Sequence, residues 1–377
     1  MRLLHTSDWH IGRTFHGHST VEHLRQVLDA LVDTAVEREV DVVLVAGDVF
    51  DSATPAADFF EVLTSTFRRL VAAGVTVVVT SGNHDSATRL GFQSEFASLA
   101  GIHVVTRPEA HAAPIELSDE HGPVSIYGIP YLEPALIRHR WPEVPLRTQA
   151  QAIAFAMENI RADLATRPAR SVVISHCFVA NVAETQEHGL ERDITAGGLD
   201  VVPLATFDGV DYAALGHIHG RAELAPNVRY SGAPLHYSFK EAHKERGAWL
   251  VELDAGGLER VEWVALPVPR RLTRLSGEID ELLADPQYAE FEQDWVEATL
   301  TDQARPLDAM RRLQSRFPFC ANLEFRPAIV AESAVESYAA RMRGRSDAEI
   351  VGDFLSHVRN GVGPTEAERA AIAEVVS

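Results

Sequence analysis

The sequence predicts an α/β protein of two domains with a helical tail. Three observations predict it. Short β-branched runs alternate with longer stretches of helical period up to about residue 266. A Pro-Val-Pro-Arg-Arg break at Pro267–Arg271 is followed by a second, shorter alternation. Two helix-start signatures then close the chain. A length of 377 residues suits two domains, and 46% hydrophobic with 23% charged residues is an ordinary globular composition.

The elements follow in order. Arg2–Ser7, Asp41–Ala46, Val75–Thr80, Val124–Ile129, Ser171–Ser175 and Tyr212–Leu215 read as strands. Their near-continuous apolar character marks them as buried on both faces. Leu24–Glu39, Ala56–Ala73 and Thr148–Leu164 read as helices between them. Arg229–Tyr230, Gly247–Leu253 and Val261–Ala265 are expected to close a second sheet. Beyond the break, Arg271–Ser276, Asp280–Ala284, Trp295–Leu300, Leu307–Phe317 and Asn322–Phe325 read as strand, helix, strand, helix, strand. An Arg-rich linker with Arg341, Arg343 and Arg345 leads to capping boxes at Ser346-x-x-Glu349 and Thr365-x-x-Glu368. The first tail helix puts Ile350, Val351, Phe354, Leu355 and Val358 on one face, and Gly361–Pro364 supplies the turn. The expected domains are therefore 1–268, 269–335 and 346–377.

Composition limits the function. The N-terminus runs directly into a polar motif, and apolar runs such as Val42–Ala46 are far shorter than the roughly 20 residues of a membrane span. Cys177 and Cys320 make no disulfide framework, which fits a reducing cytoplasm. The formal net charge of -20 opposes broad nucleic-acid binding. Two divalent cations would cancel about four of those charges at one place, so any DNA contact is expected to be local or shared with a partner protein.

Five blocks carry the chemistry, each at the C-terminal end of a predicted strand. They are Asp8-Trp9-His10, Gly47-Asp48, Gly82-Asn83-His84-Asp85, Ser175-His176 and Gly216-His217-Ile218-His219. Strand ends of α/β sheets are where loops bring distant residues together. Carboxylate, imidazole and amide donors suit an octahedral ion such as Mn²⁺ or Fe²⁺ better than a closed zinc site. Phosphodiesters resist hydrolysis because their anionic oxygens repel the nucleophile. Two cations about 3.5–4 Å apart polarise the phosphate and acidify water. Asp48 is the candidate bridge. His84 is the candidate acid or charge stabiliser, with Asp85 beside it as the candidate orienting partner. Alone, Asp-x-His and Gly-Asp say little; Gly-Asn-His-Asp and Gly-His-x-His are specific, and the order of all five is more so. The twelve histidines outside these blocks are read as surface or core residues. His176 rests on its position after Ser171–Ser175, and Cys177 is read as a packed thiol.

With these blocks the chain resembles the calcineurin-like metallophosphoesterase superfamily over roughly Met1 to Leu266. The resemblance implies a β-sandwich flanked by helices, with two Mn²⁺-type ions. One ion would take Asp8, His10, Asp48 and His219, the other Asp48, Asn83, His176 and His217, leaving His84 as the catalytic histidine. Thr6–Arg13, Ala46–Asp51 and Ser231–Phe239 further resemble the bacterial SbcD family of nuclease subunits, as do the small domain and terminal helices. That narrower resemblance implies 3′-to-5′ exonuclease and single-strand or hairpin endonuclease activity in DNA repair, replication and recombination. It also implies an SbcC-type ABC ATPase as partner and a homodimer with Ala56–Ala73 as one candidate contact. The small domain would serve as a capping or DNA-specificity domain. No Gly-x-x-x-x-Gly-Lys loop is present, which agrees with ATP being handled by the partner. Archaeal relatives carry a histidine where this chain has Asp51, and Asp51 is given no catalytic role.

The terminal helices either dock back on their own domain or, as the family does, on the partner's coiled coil. Arg13, His16, His18, Arg89, Lys240, His243, Lys244 and Arg246 flank the motif loops and are candidate phosphate contacts or a solvated face. Two other readings compete with a nuclease. One is a phosphatase or phosphodiesterase for small molecules or phosphoproteins; the other is a scaffold with a dead site, which predicts gaps in the ligand set.

Overall fold

In the computed structural model the described residues are 1–167, 169–180, 201–327, 345–359 and 361–376. They form two compact units, Met1–Pro269 and Arg270–Ser377.

The first unit is built on two six-stranded sheets. Its strands are β1 (Arg2–Thr6), β2 (Val42–Ala46), β3 (Thr76–Thr80), β4 (Ile102–Val105), β5 (Ile115–Asp119), β6 (Gly122–Ile129), β7 (Arg170–His176), β8 (Tyr212–Gly216), β9 (Ala222–Ala225), β10 (Val228–Tyr230), β11 (Gly247–Asp254) and β12 (Gly257–Ala265). One sheet has the order β12-β11-β1-β2-β3-β4 and the other β9-β10-β8-β7-β6-β5. β1 to β4 run parallel, as do β6, β7, β8 and β10.

Side-chain alternation explains why these strands read as continuous apolar runs. Val42, Leu44 and Ala46 pack with Val172, Ile174 and Ala214 in the core shared by both sheets. Val43 and Val45 face the other way, with residues of α1 (Val21–Glu37) and α2 (Ala57–Ala72). Val173, Ala213 and Leu215 likewise pack with Ile153, Ala156, Met157 and Ile160 of α3 (Gln149–Leu164). The result is a sheet-on-sheet sandwich with helices on both outer faces. Thr148 and Gln151 close a capping box at the start of α3.

Two expectations are corrected. The sequence pattern assigns Gly247–Leu253 and Val261–Ala265 to the second sheet. They instead form β11, antiparallel to β1, and β12, antiparallel to β11, at the edge of the first sheet. Trp249 and Val251 supply the reason: they add to the core between the sheets from that edge. Also, β4, β5 and β9 are strands that the sequence does not announce. They lie at or next to sheet edges, and the half-exposed alternation of Ile115–Asp119 dilutes their apolar signal.

The second unit has a parallel sheet of β13 (Leu272–Gly277), β14 (Trp295–Leu300) and β15 (Cys320–Phe325), with α4 (Ile279–Ala284) and α5 (Ala309–Arg316). Leu275, Leu282, Val296, Ala298 and Leu313 form its own core. The expected strand–helix order is therefore present here. The tail forms α6 (Asp347–Val358) and α7 (Glu366–Val376). Both capping boxes are present: Ser346 with Glu349, and Thr365 with Glu368. Arg359 joins the two helices by a two-pronged pair with Glu368, at 2.8 and 2.7 Å. Arg341, Arg343, residues 328–335 and the Val358 side chain lie outside what is described. Among the described residues, no helix is long and apolar enough to cross a membrane.

The separate core makes a prediction. Leu313→Ala should weaken the second unit by about 2–5 kcal/mol. Hydrogen exchange should accelerate in β14 and β15 while β2 and β7 keep their protection. Equal loss in both units would contradict the division.

Candidate two-metal centre

Parallel order brings five strand ends to one edge of the sandwich. Asp8 and His10 follow β1, Asp48 follows β2, and Asn83 and His84 follow β3. His176 ends β7, and His217 and His219 follow β8. The loops after β1 and β2 bond to each other: Asp8 N–H to Gly47 O at 3.1 Å, His10 N–H to Asp48 O at 2.9 Å, and Ile11 N–H to Val49 O at 2.9 Å.

The backbone there is forced. Asp8, His10, Asp48 and His217 all have positive φ, at 53°, 44°, 49° and 106°. A non-glycine residue in this region costs on the order of 1–3 kcal/mol and persists where the surroundings dictate it. Two glycines let the loops close. A Cβ on Gly82 would overlap the Asp48 carboxylate, and one on Gly216 would overlap the Ala46 carbonyl. Gly82 is thus required by close approach, since it has no positive φ among the turn glycines.

The side chains converge as acceptors. Asp8, His10 and His219 offer ligand atoms within 4.8 Å of one another; so do His10, Asp48 and His84, and so do Asp8, Asp48 and His176. His176 Nδ1 donates to the Ala46 carbonyl at 2.9 Å. Its Nε2 then faces Asn83 Oδ1 at 3.0 Å and Asp48 Oδ2 at 3.3 Å. Asn83 Oδ1 is also 3.2 Å from His217 Nδ1. His10 Nε2 and His219 Nε2 stand 3.1 Å apart. His10 Nδ1 lies 3.2 Å from Asp51 Oδ1, outside good hydrogen-bond angles, and His219 Nδ1 lies 3.5 Å from Glu241. Each outer nitrogen thus lies near a carboxylate, and the two inner nitrogens sit within hydrogen-bond distance of each other, converging where a cation would take both.

Electrostatics agree. Burial works against the charge of Asp48, yet His176 and His10 hold its carboxyl well below the usual carboxylate range. Burial likewise opposes a proton on His176, but Asp48 and then Asp8 raise it to about 9. Burial and neighbouring His176 lower His217 to about 4. The donor set fits divalent cations, and every residue expected to be a ligand is at this edge.

One expected contact is corrected. Asp85 does not face the His84 ring. Its carboxylate accepts from the backbone N–H groups of Val49, Phe50 and Gly82 at 3.1, 2.9 and 2.9 Å. Those donors lie closer than the imidazole, so Asp85 fastens the Asn83 loop to the Asp48 loop. The His84 ring is oriented by Asp51 instead: Nδ1 donates to the Asp51 carbonyl at 2.9 Å, leaving Nε2 free. His84 N–H also donates to Asp48 Oδ1 at 2.9 Å. Among the flanking basic residues, Arg246 is buried and pairs with Glu241, so it is not a phosphate contact. Arg13 lies over the Tyr237 ring at 4.7 Å and 3.2 Å from Asp51. Cys177 is buried, and burial pushes its thiol up to about 12, as a packed cysteine requires. Sequence reading missed Glu241 and Tyr237; the only signal was their place within or just after the Ser231–Phe239 motif.

Residues 1–221 match the family of calcineurin-like phosphoesterases. The chain belongs to the calcineurin-like phosphoesterase family. As a member it is a metal-dependent phosphoester hydrolase. Residues 268–359 match the SbcD C-terminal domain, described as the type 5 capsule protein repressor C-terminal domain, and the two matches together make it an SbcD-type metallophosphoesterase. Solved structures with similarity include TT1561 of Thermus thermophilus, at 12% identity and a TM-score of 0.41, over 70% of this chain and 98% of that one. GAP50, the anchor in the inner membrane complex of Plasmodium, gives 12% and 0.39, over 87% and 98%. A dimetal phosphatase from Danio rerio gives 12% and 0.39, over 71% and 99%. With overlap this shallow, membership of the calcineurin-like family rests on the sequence match.

The geometry separates two kinds of residue. His84→Ala should keep both ions by elemental analysis and lower phosphodiester turnover by about 10²–10⁴-fold. Loss of metal in that variant would show that His84 is a ligand instead. Asp85→Ala, which frees three loop N–H groups, should weaken metal retention as well as turnover. Wild-type metal content with wild-type activity would contradict its fastening role.

Proposed function

We propose that this chain is the nuclease subunit of a DNA-processing complex, acting 3′-to-5′ on duplex ends and endonucleolytically on single strands and hairpins. The observation that carries the reading is one chain joining a centre of converging acceptors to an SbcD-type C-terminal domain. Asp8, His10, Asp48 and His219 would hold one ion, and Asp48, Asn83, His176 and His217 the other, with Mn²⁺ the best match to mixed oxygen and imidazole donors. When bound, the two cations polarise the phosphodiester and acidify water. Asp48 would contribute to both. The Ala46 carbonyl fixes the tautomer that leaves His176 Nε2 available as a donor atom to metal. The Asp51 carbonyl sets the His84 ring so that Nε2 can hold a proton for the leaving oxygen.

The partner is an SbcC-type ATPase, and the tail helices are its dock. Support comes from their surface: among the described residues of α6 and α7 none is fully buried, and Phe354 remains 49% exposed. A homodimer also fits. Phe92, Phe96 and Leu99 are 74%, 74% and 86% exposed on neighbouring turns of the first unit, an apolar surface that a second copy would cover. The net charge favours the second reading, a phosphodiesterase for small substrates.

One assay divides the two. Labelled hairpin DNA and a nitrophenyl phosphodiester are each incubated with Mn²⁺, with and without the ATPase partner and ATP. The nuclease reading expects cleavage of the hairpin, and a chelator should abolish it. Cleavage of the ester but never of DNA would refute it. Separately, a chain ending before Ser346 should fail to co-purify with the ATPase and keep Mn²⁺-dependent activity by itself. Unchanged co-purification would place the dock elsewhere.

A further inference from the structure

The two halves of the centre are supported differently. His176 is held at its ring by the Ala46 carbonyl, and His217 at its backbone N–H by the Asp8 carboxylate, at 3.1 Å to each oxygen. The half made by Asp8, His10 and His219 has in addition a polar clamp from the segment that follows β10. Tyr237 is buried there, and its hydroxyl donates to the Trp9 carbonyl at 2.8 Å, between Asp8 and His10. Its ring meets the His10 and His219 rings edge-on, with centroids 5.4 and 5.7 Å away.

Four residues later the Glu241 carboxylate divides its oxygens. Oε1 faces His219 Nδ1 at 3.5 Å. Oε2 accepts from the Tyr237 backbone N–H at 3.2 Å and pairs with the Arg246 guanidinium. Arg246 also donates to the His219 carbonyl, and to the Ala233 carbonyl at 3.3 Å. The Glu241–Arg246 pair therefore grips His219 at both its ring and its backbone.

Glu241 and Arg246 are 8% and 2% exposed. A buried ion pair is a weak source of stability compared with apolar packing, so its orienting effect is the more informative property. A carboxylate facing Nδ1 keeps the proton on that nitrogen. It leaves Nε2 as a lone pair and makes it more basic, the arrangement by which outer carboxylates tune histidine ligands.

We propose that Glu241, locked by Arg246, is a positioning residue for the Asp8–His10–His219 half of the centre, and that it sets the affinity of that ion separately from the other. Tyr237 completes the clamp by fixing the ring planes. This deepens, and rests on, the two-cation reading above.

The test is metal uptake, read without turnover. Metal-free full-length protein is titrated with Mn²⁺, following free ion by equilibrium dialysis and bound ion by electron paramagnetic resonance. Wild type should take up two ions and show an exchange-coupled spectrum at saturation. Glu241→Gln should weaken one class of ion by about 10–100-fold and leave the other unchanged. At a concentration that saturates wild type, it should then give a mononuclear spectrum. Glutamine leaves Arg246 without a counter-charge, so the double variant Glu241→Gln, Arg246→Met is measured beside it. It should show the same selective loss while still unfolding cooperatively on heating. Two unchanged classes in Glu241→Gln, or parallel weakening of both, would overturn the positioning role. A wild type that binds no pair of ions would instead remove the two-cation reading itself.

Discussion

Asp48 is a carboxylate placed where burial opposes its charge, and the fold surrounds it with further acceptors. It is 2% exposed. One oxygen takes the His84 N–H, and the other stands 3.3 Å from His176 Nε2 and 3.7 Å from His10 Nε2. Such a carboxylate needs nearby positive charge to remain ionised. Much of this edge of the sandwich meets that need. Parallel strands deliver five loops to it, Gly82 and Gly216 let the loops close, and Asp85 ties two of them by their backbones. Four non-glycine residues accept left-handed backbone there. The three packed cores of the first unit hold this strain in place.

Much of the arrangement was legible because it depends on residue type and chain order. Buried parallel strands such as Val42–Ala46 are apolar on both faces, and Asp48 lies two residues beyond. Once those strands are recognised, the ends of β1, β2 and β3 fall on one edge of a parallel sheet, as do those of β7 and β8 in the other. Other features depend on directions that a sequence does not encode. Asp85 adjoins His84 in the chain, yet its carboxylate turns to the backbone of Val49 and Phe50. Asp51, given no role from sequence, orients His84 through its carbonyl, which any residue would carry. Glu241 lies 22 residues beyond His219 and reaches it only through the fold. The edge placement of β11 and β12 was missed for a related reason. An apolar antiparallel strand fits either sheet by pattern, and packing of Trp249 into the shared core decides between them.

Charge links the site to its surroundings. A chain of net charge -20 approaches a polyanion at a disadvantage. Two divalent cations would reverse the local field at the acceptor cluster while leaving the rest of the surface acidic. Of the basic residues near the loops, Arg246 serves Glu241, Arg13 engages Asp51 and Tyr237, and Arg89 donates to the Ala53 carbonyl. On the proposed nuclease reading, DNA engagement would depend on the cations and on what a partner protein adds, which agrees with a tail that leaves apolar side chains such as Phe354 exposed.

The central claim is that the edge around Asp48 holds a pair of cations sharing that carboxylate. Anomalous diffraction from crystals grown with Mn²⁺ tests it most directly. The account predicts two manganese peaks about 3.5–4 Å apart on either side of Asp48, one beside His10 and His219 and the other beside Asn83, His176 and His217. A single peak, or manganese bound away from Asp48, would contradict it.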